Sequence, residues 1–413
     1  MVLQRDGHRG KAPCCPPRFA RPPGTLNFSL DDVAYLRSAP GVEALRTVGA
    51  YPLTESTRIS DIASARRLFG NRAGILVQTV LLRRRAAAKF GDVGAWLFTD
   101  DALQQATAAA VAAHRAARLA GRTVHDVTCS IGTELAQLRQ VANVLGSDID
   151  PVRLAMARHN VAGVALLRAD ALHPVSRNTA VFADPGRRSG ARRRFDPRDY
   201  TPPLDRLLDT YAGRDLVVKC SPGIDFEWLS GAGFEGEIEV TSLGGAVREA
   251  CLWPPGLART GVSRRATILD GHGALTQITD EDPDDCPVAP AGRWIIDPDG
   301  AVVRAGLVRH YAARHNLWQL DPRIAYLSGA QLPSGVRGFE VLEEIPFGER
   351  RMRQALAARD CGAVEILVRG VDVDPAALRP RLRLRGTQQL SVVITRVGTR
   401  PGRLAAFICR PSR

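Results

Sequence analysis

The sequence predicts an α/β protein with a largely parallel central sheet, preceded by a helical segment and followed by a smaller α/β unit. Three observations lead to this prediction. From about residue 96 to 269, short apolar strands alternate with helical stretches, as in a parallel sheet covered on both faces. Residues 26–95 have helical spacing of apolar positions, and residues 336–413 combine four strands with one helix. At 413 residues, the chain is long enough for two or three domains.

The first 95 residues are predicted to be a disordered tail followed by helices. Residues 1–25 are rich in Pro and Arg and poor in apolar side chains, which predicts disorder. Ser29, with Asp32 three residues later, predicts a helix start. Further along, residues 99–121 predict one long helix, with Thr99 as its N-cap and Gly121 at its end.

The sheet strands are predicted in the order TVHDVTC, NVLGSD, VALLRAD, TAVFADP and DLVVKCS, followed by GEIEVTSL, REACLWP and RRATIL. Residues 270–292 are acidic and aperiodic, so we interpret them as a linker or exposed loop within a connecting segment, 270–335, that also contains a helix. In the last unit, GFEVLEEIPF, AVEILVRG, QQLSVVITRVG and RLAAFICRP are predicted strands, and ERRMRQALAARD is a predicted helix.

The net charge of +13 favours a polyanionic partner. A coding bias towards arginine is the alternative explanation, because only three of the basic residues are lysines. The eight cysteines form no CxxC pair, so we expect no metal site and a reducing compartment. No apolar run approaches the roughly 18 residues of a membrane span, which leads us to expect a cytoplasmic protein without membrane contact. The sequence does not indicate an oligomeric state.

The first strand ends at a turn, residues 128–133, that carries a single glycine, Gly132. Ligands of open α/β sheets bind at the carboxyl ends of the strands. Small residues such as Ser130 let the backbone approach a ligand, and a carboxylate demands less room than a pyrophosphate. Asp148 follows Asp126 by 22 residues and ends the second strand, where an acid can accept both ribose hydroxyls. Asp150 precedes Pro151 and is interpreted as a helix cap.

The third and fourth strands also end in acids. Asp170 lies where it can accept a hydrogen bond from an adenine amine; the alternative is a solvated loop acid. Asp184 and Pro185 would lie over the cleft and hold the acceptor atom, unless Asp184 is only a cap in a solvated turn. The arginines that follow, beginning with Arg187 and Arg188, suit a phosphodiester substrate.

These strand ends resemble those of class I S-adenosylmethionine-dependent methyltransferases. More narrowly, residues 26–413 resemble a bacterial family with a C-terminal THUMP-like domain. The shared phrases include WLFTDDALQQATAAAVAAHRAAR, DVTCSIGTE, GSDIDPVRLAMARHN, FADPGRRSGARR, VVKCSPGID and AGLVRHYAARHNLWQLDPRIAYLSG. The resemblance implies a Rossmann-like seven-stranded sheet whose last strand is antiparallel.

The resemblance also implies residue roles. The turn around Ser130 and Gly132 would hold the methionine part of the cofactor, Asp148 the ribose and Asp170 the adenine. Asp126 is assigned to the same pocket, and Thr99 lies in a segment that covers the pocket in similar proteins. Asp184 and Pro185 would occupy the Asn/Asp-Pro-Pro motif beside the methyl group. The chain departs from the family pattern where Ser130 and Thr133 replace common glycines and Gly186 replaces the second proline.

Two chemistries remain open for the acceptor. An exocyclic amine would be oriented by Asp184 and by the carbonyls of Pro185 and Gly186. A pyrimidine carbon 5 would need a cysteine nucleophile, for which Cys220 beside Lys219 is the candidate; packing is the alternative role for Cys220. Lys219 itself is a candidate catalytic residue or a simple strand-end cation.

The C-terminal segment is the most basic part of the chain. Residues 376–413 contain nine arginines and no acid, with Arg381, Arg383 and Arg385 in the densest run, RPRLRLRG. If this run is a strand, these arginines share one face and meet phosphates; a solvated face is the alternative. The THUMP-like resemblance implies structured RNA such as tRNA or rRNA. A non-catalytic RNA-binding protein, a small-molecule methyltransferase and a DNA substrate remain alternatives.

Overall fold

The computed structural model describes residues 27–91, 93–186, 188–189, 192–193, 196–271, 273–399 and 402–412, with the backbone alone at 88, 188–189 and 192–193. The prediction for residues 1–25 lies outside this range. The α-helices are α1 Leu30–Arg37, α2 Ala39–Gly49, α3 Arg58–Phe69, α4 Ala73–Phe90, α5 Asp100–Gln105, α6 Ala109–Ala117, α7 Thr133–Leu138, α8 Pro151–Asn160, α9 Leu204–Thr210, α10 Phe226–Gly231, α11 Gly300–Ala305, α12 Val308–Arg314, α13 Glu349–Ala357 and α14 Pro375–Arg381. Short 3-10 turns cover Gly70–Arg72 and Pro197–Asp199.

The central sheet has nine strands in the order β11-β10-β8-β9-β7-β4-β1-β2-β3. Its members are β1 Thr123–Asp126, β2 Asn143–Asp148, β3 Ala165–Arg168, β4 Ala180–Ala183, β7 Leu216–Cys220, β8 Glu237–Leu243, β9 Ala246–Trp253, β10 Arg264–Leu269 and β11 Leu275–Thr279. The two-residue strands β5 Arg188–Ser189 and β6 Arg192–Arg193 pair with each other.

Seven of these strands, in the spatial order β3-β2-β1-β4-β7-β9-β8, reproduce the predicted arrangement. β1, β2, β3, β4 and β7 pair in parallel, and β9 inserts antiparallel between β7 and β8. This confirms the seven-stranded sheet with an antiparallel last strand. β10 adds in parallel to β8, and β11 pairs antiparallel with β10. The parallel pairing brings the carboxyl ends of β1, β2, β3, β4 and β7 to one edge of the sheet.

The helices before the sheet form their own apolar cluster, which is anchored on the sheet domain. Ser29 and Asp32 make the predicted capping box at the start of α1. The cluster of α1, α2 and α4 includes Met156 of α8 and Ile131 of the loop after β1. The N-terminal helices therefore pack directly against the elements that surround the strand ends.

The C-terminal sheet has seven strands in the order β13-β14-β12-β15-β18-β17-β16. Its members are β12 Trp294–Ile296, β13 Trp318–Gln319, β14 Leu327–Gly329, β15 Gly338–Pro346, β16 Cys361–Arg369, β17 Gln388–Val397 and β18 Arg403–Pro411. Among the described strands of this sheet, β16 and β17 pair in parallel and the other pairs are antiparallel. The helices α13 and α14 share one apolar cluster on this sheet, as the amphipathic pattern of α13 predicts.

Three predictions about elements are wrong. The long helix 99–121 divides into α5 and α6, because Ala106 and Ala108 have extended ψ angles of 139° and 141°. Residues 270–292 are not a continuous loop, because β11 continues the main sheet. The run RPRLRLRG is not a strand: α14 ends at Arg381, and Arg383 has a left-handed φ of 51°.

The segment 270–335 supplies β12, β13 and β14 to the C-terminal sheet, and its helical part is two helices, α11 and α12. The domain boundaries remain a prediction. In the part of the chain that the structure describes, no helix combines the length and the apolar character that a bilayer crossing requires.

Candidate active site

Four ionisable side chains lie at or just beyond the carboxyl ends of adjacent strands. Asp126 ends β1, Asp148 ends β2, Asp184 follows β4, and Lys219 lies near the end of β7. Asp126, Asp148 and Lys219 are 1%, 6% and 3% exposed. Charged groups are rarely buried unless they are paired, so this edge is the candidate functional site.

The loop between β1 and α7 is held in shape by the carboxylate of Asp148. The backbone N–H of Ser130 donates to Oδ2 of Asp148 at 2.9 Å, and that of Asp150 donates to Oδ1 at 2.8 Å. Ser130 adopts a left-handed φ of 50°, which is uncommon for a residue other than glycine. Burial raises the pKa of Asp148, which the two N–H donors oppose. Asp148 therefore links the tip of β2 to the loop.

Gly132 is required by both its backbone and its surroundings. Its φ of 90° is left-handed, and a Cβ at this position would lie 2.9 Å from Cγ2 of Val161. The single glycine of this loop thus serves the turn into α7. Asp150 caps α8 by accepting the N–H groups of Val152 and Arg153 at 2.8 and 3.1 Å, which confirms its predicted role.

Asp126 presents a buried acceptor oxygen towards this edge. Its Oδ1 accepts the N–H of Thr128 at 3.0 Å, whereas its Oδ2 has no hydrogen-bond partner among the described residues. Burial raises the pKa of Asp126 well above its ordinary value, and the charges of Glu134, Asp184 and Asp148 raise it further. An unsatisfied buried carboxylate oxygen is costly, and a cationic ligand group would satisfy it. The site therefore fits a cofactor that carries positive charge.

Asp170 and Thr99 lie at the same edge but also have structural roles. Asp170 lies just past β3, and its Oδ1 accepts the N–H of Leu172 at 2.9 Å. Its side chain is 43% exposed. This exposure is what the alternative interpretation, a solvated loop acid, predicts. Thr99 accepts the N–H of Ala102 at 3.1 Å and caps α5, as predicted.

Asp184 and Lys219 form a pair across the tips of β4 and β7. The Lys219 Nζ lies 2.5 Å from Oδ2 of Asp184 and 3.3 Å from the carbonyl oxygen of Gln105. The N–H of Asp184 donates to Oγ1 of Thr128 at 2.7 Å. The break after α5 leaves the Gln105 carbonyl without a helical partner, so the unpredicted break is what provides an acceptor for Lys219.

The backbone after Asp184 is also fixed. The N–H of Gly186 donates to the carbonyl of Thr201 at 2.8 Å, and the N–H of Thr201 donates to the carbonyl of Gly186 at 2.9 Å. Pro185, which precedes Gly186, is buried. Because Thr201 already uses the Gly186 carbonyl, Asp184 and the Pro185 carbonyl are the better placed acceptors of the predicted set.

A buried ionic cluster behind Lys219 was not predicted from the sequence. Arg115 of α6 donates to Glu134 of α7 at 2.5 Å and to Glu249 of β9. Burial opposes ionisation of Glu134, but Arg115 and Lys219 lower its pKa below the ordinary value. These residues are distant in sequence, so only the fold brings their charges together.

Asn160 is a second residue that sequence reasoning missed. Its Nδ2 donates to the carbonyls of Leu97 and Ile131, both at 2.9 Å, and its Oδ1 accepts the N–H of Leu97 at 2.8 Å. It therefore ties the segment before α5 to the loop after β1. The sequence places Asn160 at the end of a predicted helix, where asparagine is common, and this position does not indicate a role in holding the loop.

Cys220 lies on the opposite face of β7 from Lys219. It is fully buried in the apolar cluster that also contains Val218 and Ala183. Because neighbouring residues of a strand point to opposite faces, Cys220 faces away from Asp184. The packing role fits this position, and the geometry does not favour a cysteine nucleophile.

The predicted substrate arginines are only partly within the described residues. Arg187 and the side chain of Arg188 lie outside them. Arg381, Arg383 and Arg385 are exposed at the end of α14 and in the following loop. The intervening Leu382 and Leu384 pack in the apolar cluster of the C-terminal sheet. The alternation of exposed arginine and packed leucine therefore holds without a strand.

The chain matches two protein families. Residues 336–411 match the THUMP domain-like family, and residues 29–86 match a domain of unknown function (DUF8688). In the described part of the chain, no group of three or more His, Cys, Asp or Glu side chains is arranged to hold a metal ion.

The chain is also similar to curated proteins and to a solved structure. Uncharacterised S-adenosylmethionine-dependent methyltransferases from two strains of Mycobacterium tuberculosis are 65% identical over 360 residues, which is 84% of this chain and all of theirs. The crystal structure of a protein described as a methyltransferase from Porphyromonas gingivalis W83 superposes with a TM-score of 0.70 at 17% identity, covering 94% of this chain and 100% of that one. At that identity the superposition compares folds alone.

Proposed function

Because the chain belongs to the S-adenosylmethionine-dependent methyltransferases and ends in a THUMP-like domain, we propose that it methylates a base of structured RNA such as tRNA or rRNA. The observation that carries the proposal is the Asp184–Lys219 pair beside the loop held by Asp148. The pair lies at the strand edge where ligands of such sheets bind.

When bound, S-adenosylmethionine supplies an electrophilic methyl group on a positively charged sulfur. Asp148 would accept the ribose hydroxyls, and Asp170 would contact the adenine. The turn at Ser130 and Gly132 would receive the methionine part, with Asp126 Oδ2 accepting from a cationic group. Thr99 would border the same pocket through the segment that Asn160 holds in place.

The acceptor base would meet Asp184. With Oδ2 of Asp184 bound to Lys219, its Oδ1 and the Pro185 carbonyl are the acceptors that would orient an exocyclic amine. Lys219 fixes the direction of the carboxylate, and the contact with Gln105 fixes Lys219. Alignment of the nitrogen lone pair is the main task of such an enzyme, since the leaving group is already good. A paired base would first have to leave its helix.

The exposed arginines would bind the rest of the RNA. Arg381, Arg383 and Arg385 are exposed on the C-terminal sheet domain, and guanidinium groups suit phosphate oxygens. Arg187 and Arg188 follow the Asp184 turn in sequence and would contact phosphates close to the target base.

The test is transfer of a tritiated methyl group from S-adenosylmethionine to separated RNA classes. Wild-type protein should label one class, and Asp184→Ala and Asp148→Ala should each abolish labelling. Asp209→Ala, exposed in the last turn of α9 where the chain approaches the start of β7, is the matched control and should keep it. Nucleoside analysis of the product identifies the atom. Labelling of small molecules alone, or of DNA, would contradict the RNA assignment, and full labelling by both site variants would contradict the site.

A further inference from the structure

An open groove of about 330 Å³ lies between α3 and α4, in the region that matches a domain of unknown function. Ile62 and Arg66 of α3 form one wall, and α4 supplies the other wall with residues between Gly74 and Arg85. Asp100, the first residue of α5, closes one end of the groove through an ion pair with Arg85 at 2.5 Å.

The lining is largely apolar, with Gln78 as a polar member and Arg66 and Arg85 as basic members. Val77 and Leu82 are buried at 6% and 2% exposure, whereas Arg66 is exposed. Residues 58–90 contain eight basic residues and a single acid, Asp61. The Oδ2 of Asp61 accepts the N–H of Leu53 at 2.8 Å, so it is engaged within the fold. The groove therefore suits an occupant that combines a flat apolar face with negative charge.

The groove and the candidate active site are linked by α5, one end of which contributes to each. Asp100 and Gln105 are the two ends of α5, about 8 Å apart at 1.5 Å per residue, and the Gln105 carbonyl contacts Lys219. A strand of the substrate that places one base at Asp184 would therefore pass close to the groove.

We infer that this groove binds a nucleotide of the RNA substrate that flanks the methylated one. Its base would lie between the apolar walls formed by residues such as Ile62 and Leu81, and its phosphate would meet Arg66. The volume is at the lower end of the range of small-ligand sites, about 300–1,000 Å³, which fits one nucleotide better than an amphipathic helix. The inference rests on the proposed function, because the occupant is part of the same RNA.

Cross-linking tests the inference with the full-length protein. RNA of the methylated class, transcribed with 4-thiouridine, would be irradiated in complex with the protein and the cross-linked peptides mapped. We expect cross-links within residues 59–85. Photo-cross-links confined to other regions, from RNA that is bound and methylated, would overturn the groove while leaving the proposed function intact.

Three variants sharpen the test. Arg66→Glu should weaken RNA binding about tenfold, as expected for a lost phosphate contact with reversed charge. Gly74→Leu should fill the groove and raise the Michaelis constant for RNA about fivefold, and it should not unfold α4 because leucine favours helix over glycine. Arg67→Glu is the matched control: it makes the same change of charge one residue along α3, where Arg67 does not line the groove and instead donates to Ser64. It should change binding less than twofold.

The outcomes separate the two proposals. Equal losses in Arg66→Glu and Arg67→Glu would show only general electrostatic attraction and would overturn the groove. Groove cross-links to RNA that never accepts a methyl group would support the groove and contradict the proposed function. A third outcome concerns an acidic amphipathic peptide. If the peptide displaces RNA from the wild-type protein but not from Gly74→Leu, and no cross-links form in the groove, the groove binds a protein partner and the inference is overturned.

Discussion

The strand edge of the central sheet and the arginine surface of the C-terminal unit use charge in opposite ways. At the strand edge, Asp126, Asp148 and Lys219 are almost completely buried. Asp148 accepts a hydrogen bond from the Ser130 N–H, and Lys219 pairs with Asp184. At the C-terminal unit, Arg381 and its neighbours are exposed. Buried charges interact strongly, so the loss of a partner costs much free energy. Exposed charges interact weakly, because water and salt screen them. The comparison predicts large, residue-specific effects in the first region and small, cumulative ones in the second.

The largest effect is expected when the buried pair is broken. Lys219→Met leaves the Asp184 carboxylate without its cation and without the contact that fixes its direction. We expect kcat for methyl transfer to fall about 1,000-fold, while the Kd of S-adenosylmethionine measured by calorimetry changes by less than about threefold. Cys220→Ala, on the other face of β7, is the control and should keep kcat. An equal loss of kcat in both variants would show that catalysis requires an intact β7 and no specific role of Lys219.

The second effect concerns the cofactor loop. Asp148→Ala removes the acceptor of the Ser130 and Asp150 N–H groups as well as the proposed ribose ligand. Hydrogen bonds to a charged group contribute about 1.5–3 kcal/mol each, so we expect the affinity for S-adenosylmethionine to fall at least 100-fold in calorimetry. Asp170→Ala, at the more exposed neighbouring strand tip, should reduce it only about fivefold. The reverse order would contradict the assignment of the ribose to Asp148.

The arginine surface should respond gradually. Replacing Arg381, Arg383 and Arg385 together with Gln should weaken RNA binding about tenfold at moderate salt, and the slope of log Kd against log salt should decrease by about 0.7–0.9 for each lost phosphate contact. Arg323→Gln is the control, because Arg323 is paired with Asp321 at 2.9 Å. An unchanged salt slope in the triple variant would mean that these arginines form a solvated face and bind no phosphate.

The smallest expected effect is on stability and concerns Asp126. Since burial raises its pKa, the folded state keeps a proton that the unfolded state loses above pH 4, and stability therefore decreases as the pH rises from about 4 towards the raised pKa. Asp126→Asn removes this titration and should flatten the dependence, with a gain of about 1 kcal/mol in the free energy of unfolding at neutral pH.

Denaturant titrations between pH 5 and 8 measure this gain. The same Asn variant should bind S-adenosylmethionine more weakly, because asparagine cannot release a proton to pair with the cationic group of the ligand. A variant with a steeper loss of stability towards pH 8 than wild type would contradict the assignment of the raised pKa to Asp126.

Local sequence determined much of this protein. The strand periodicity predicted the five parallel strands. The acids at the strand ends identified Asp126, Asp148 and Asp184 as candidates, because the pattern of a strand's own residues determines where it ends. The caps at Ser29, Thr99 and Asp150 follow the same logic, since a cap bonds within three residues.

The tertiary structure decided what depends on distant partners. The burial of Arg115 against Glu134 and Glu249, and the contact of Lys219 with the Gln105 carbonyl, join residues that lie 19 to 134 positions apart in the chain. The break between α5 and α6 and the hairpin of β10 and β11 are closer in sequence, but local patterns did not reveal them. Residues 99–121 are mostly good helix formers, so propensity favours one helix, and the extended backbone at Ala106 and Ala108 overrides that preference. Propensity acts over a few residues, whereas the desolvation of charges depends on the whole fold.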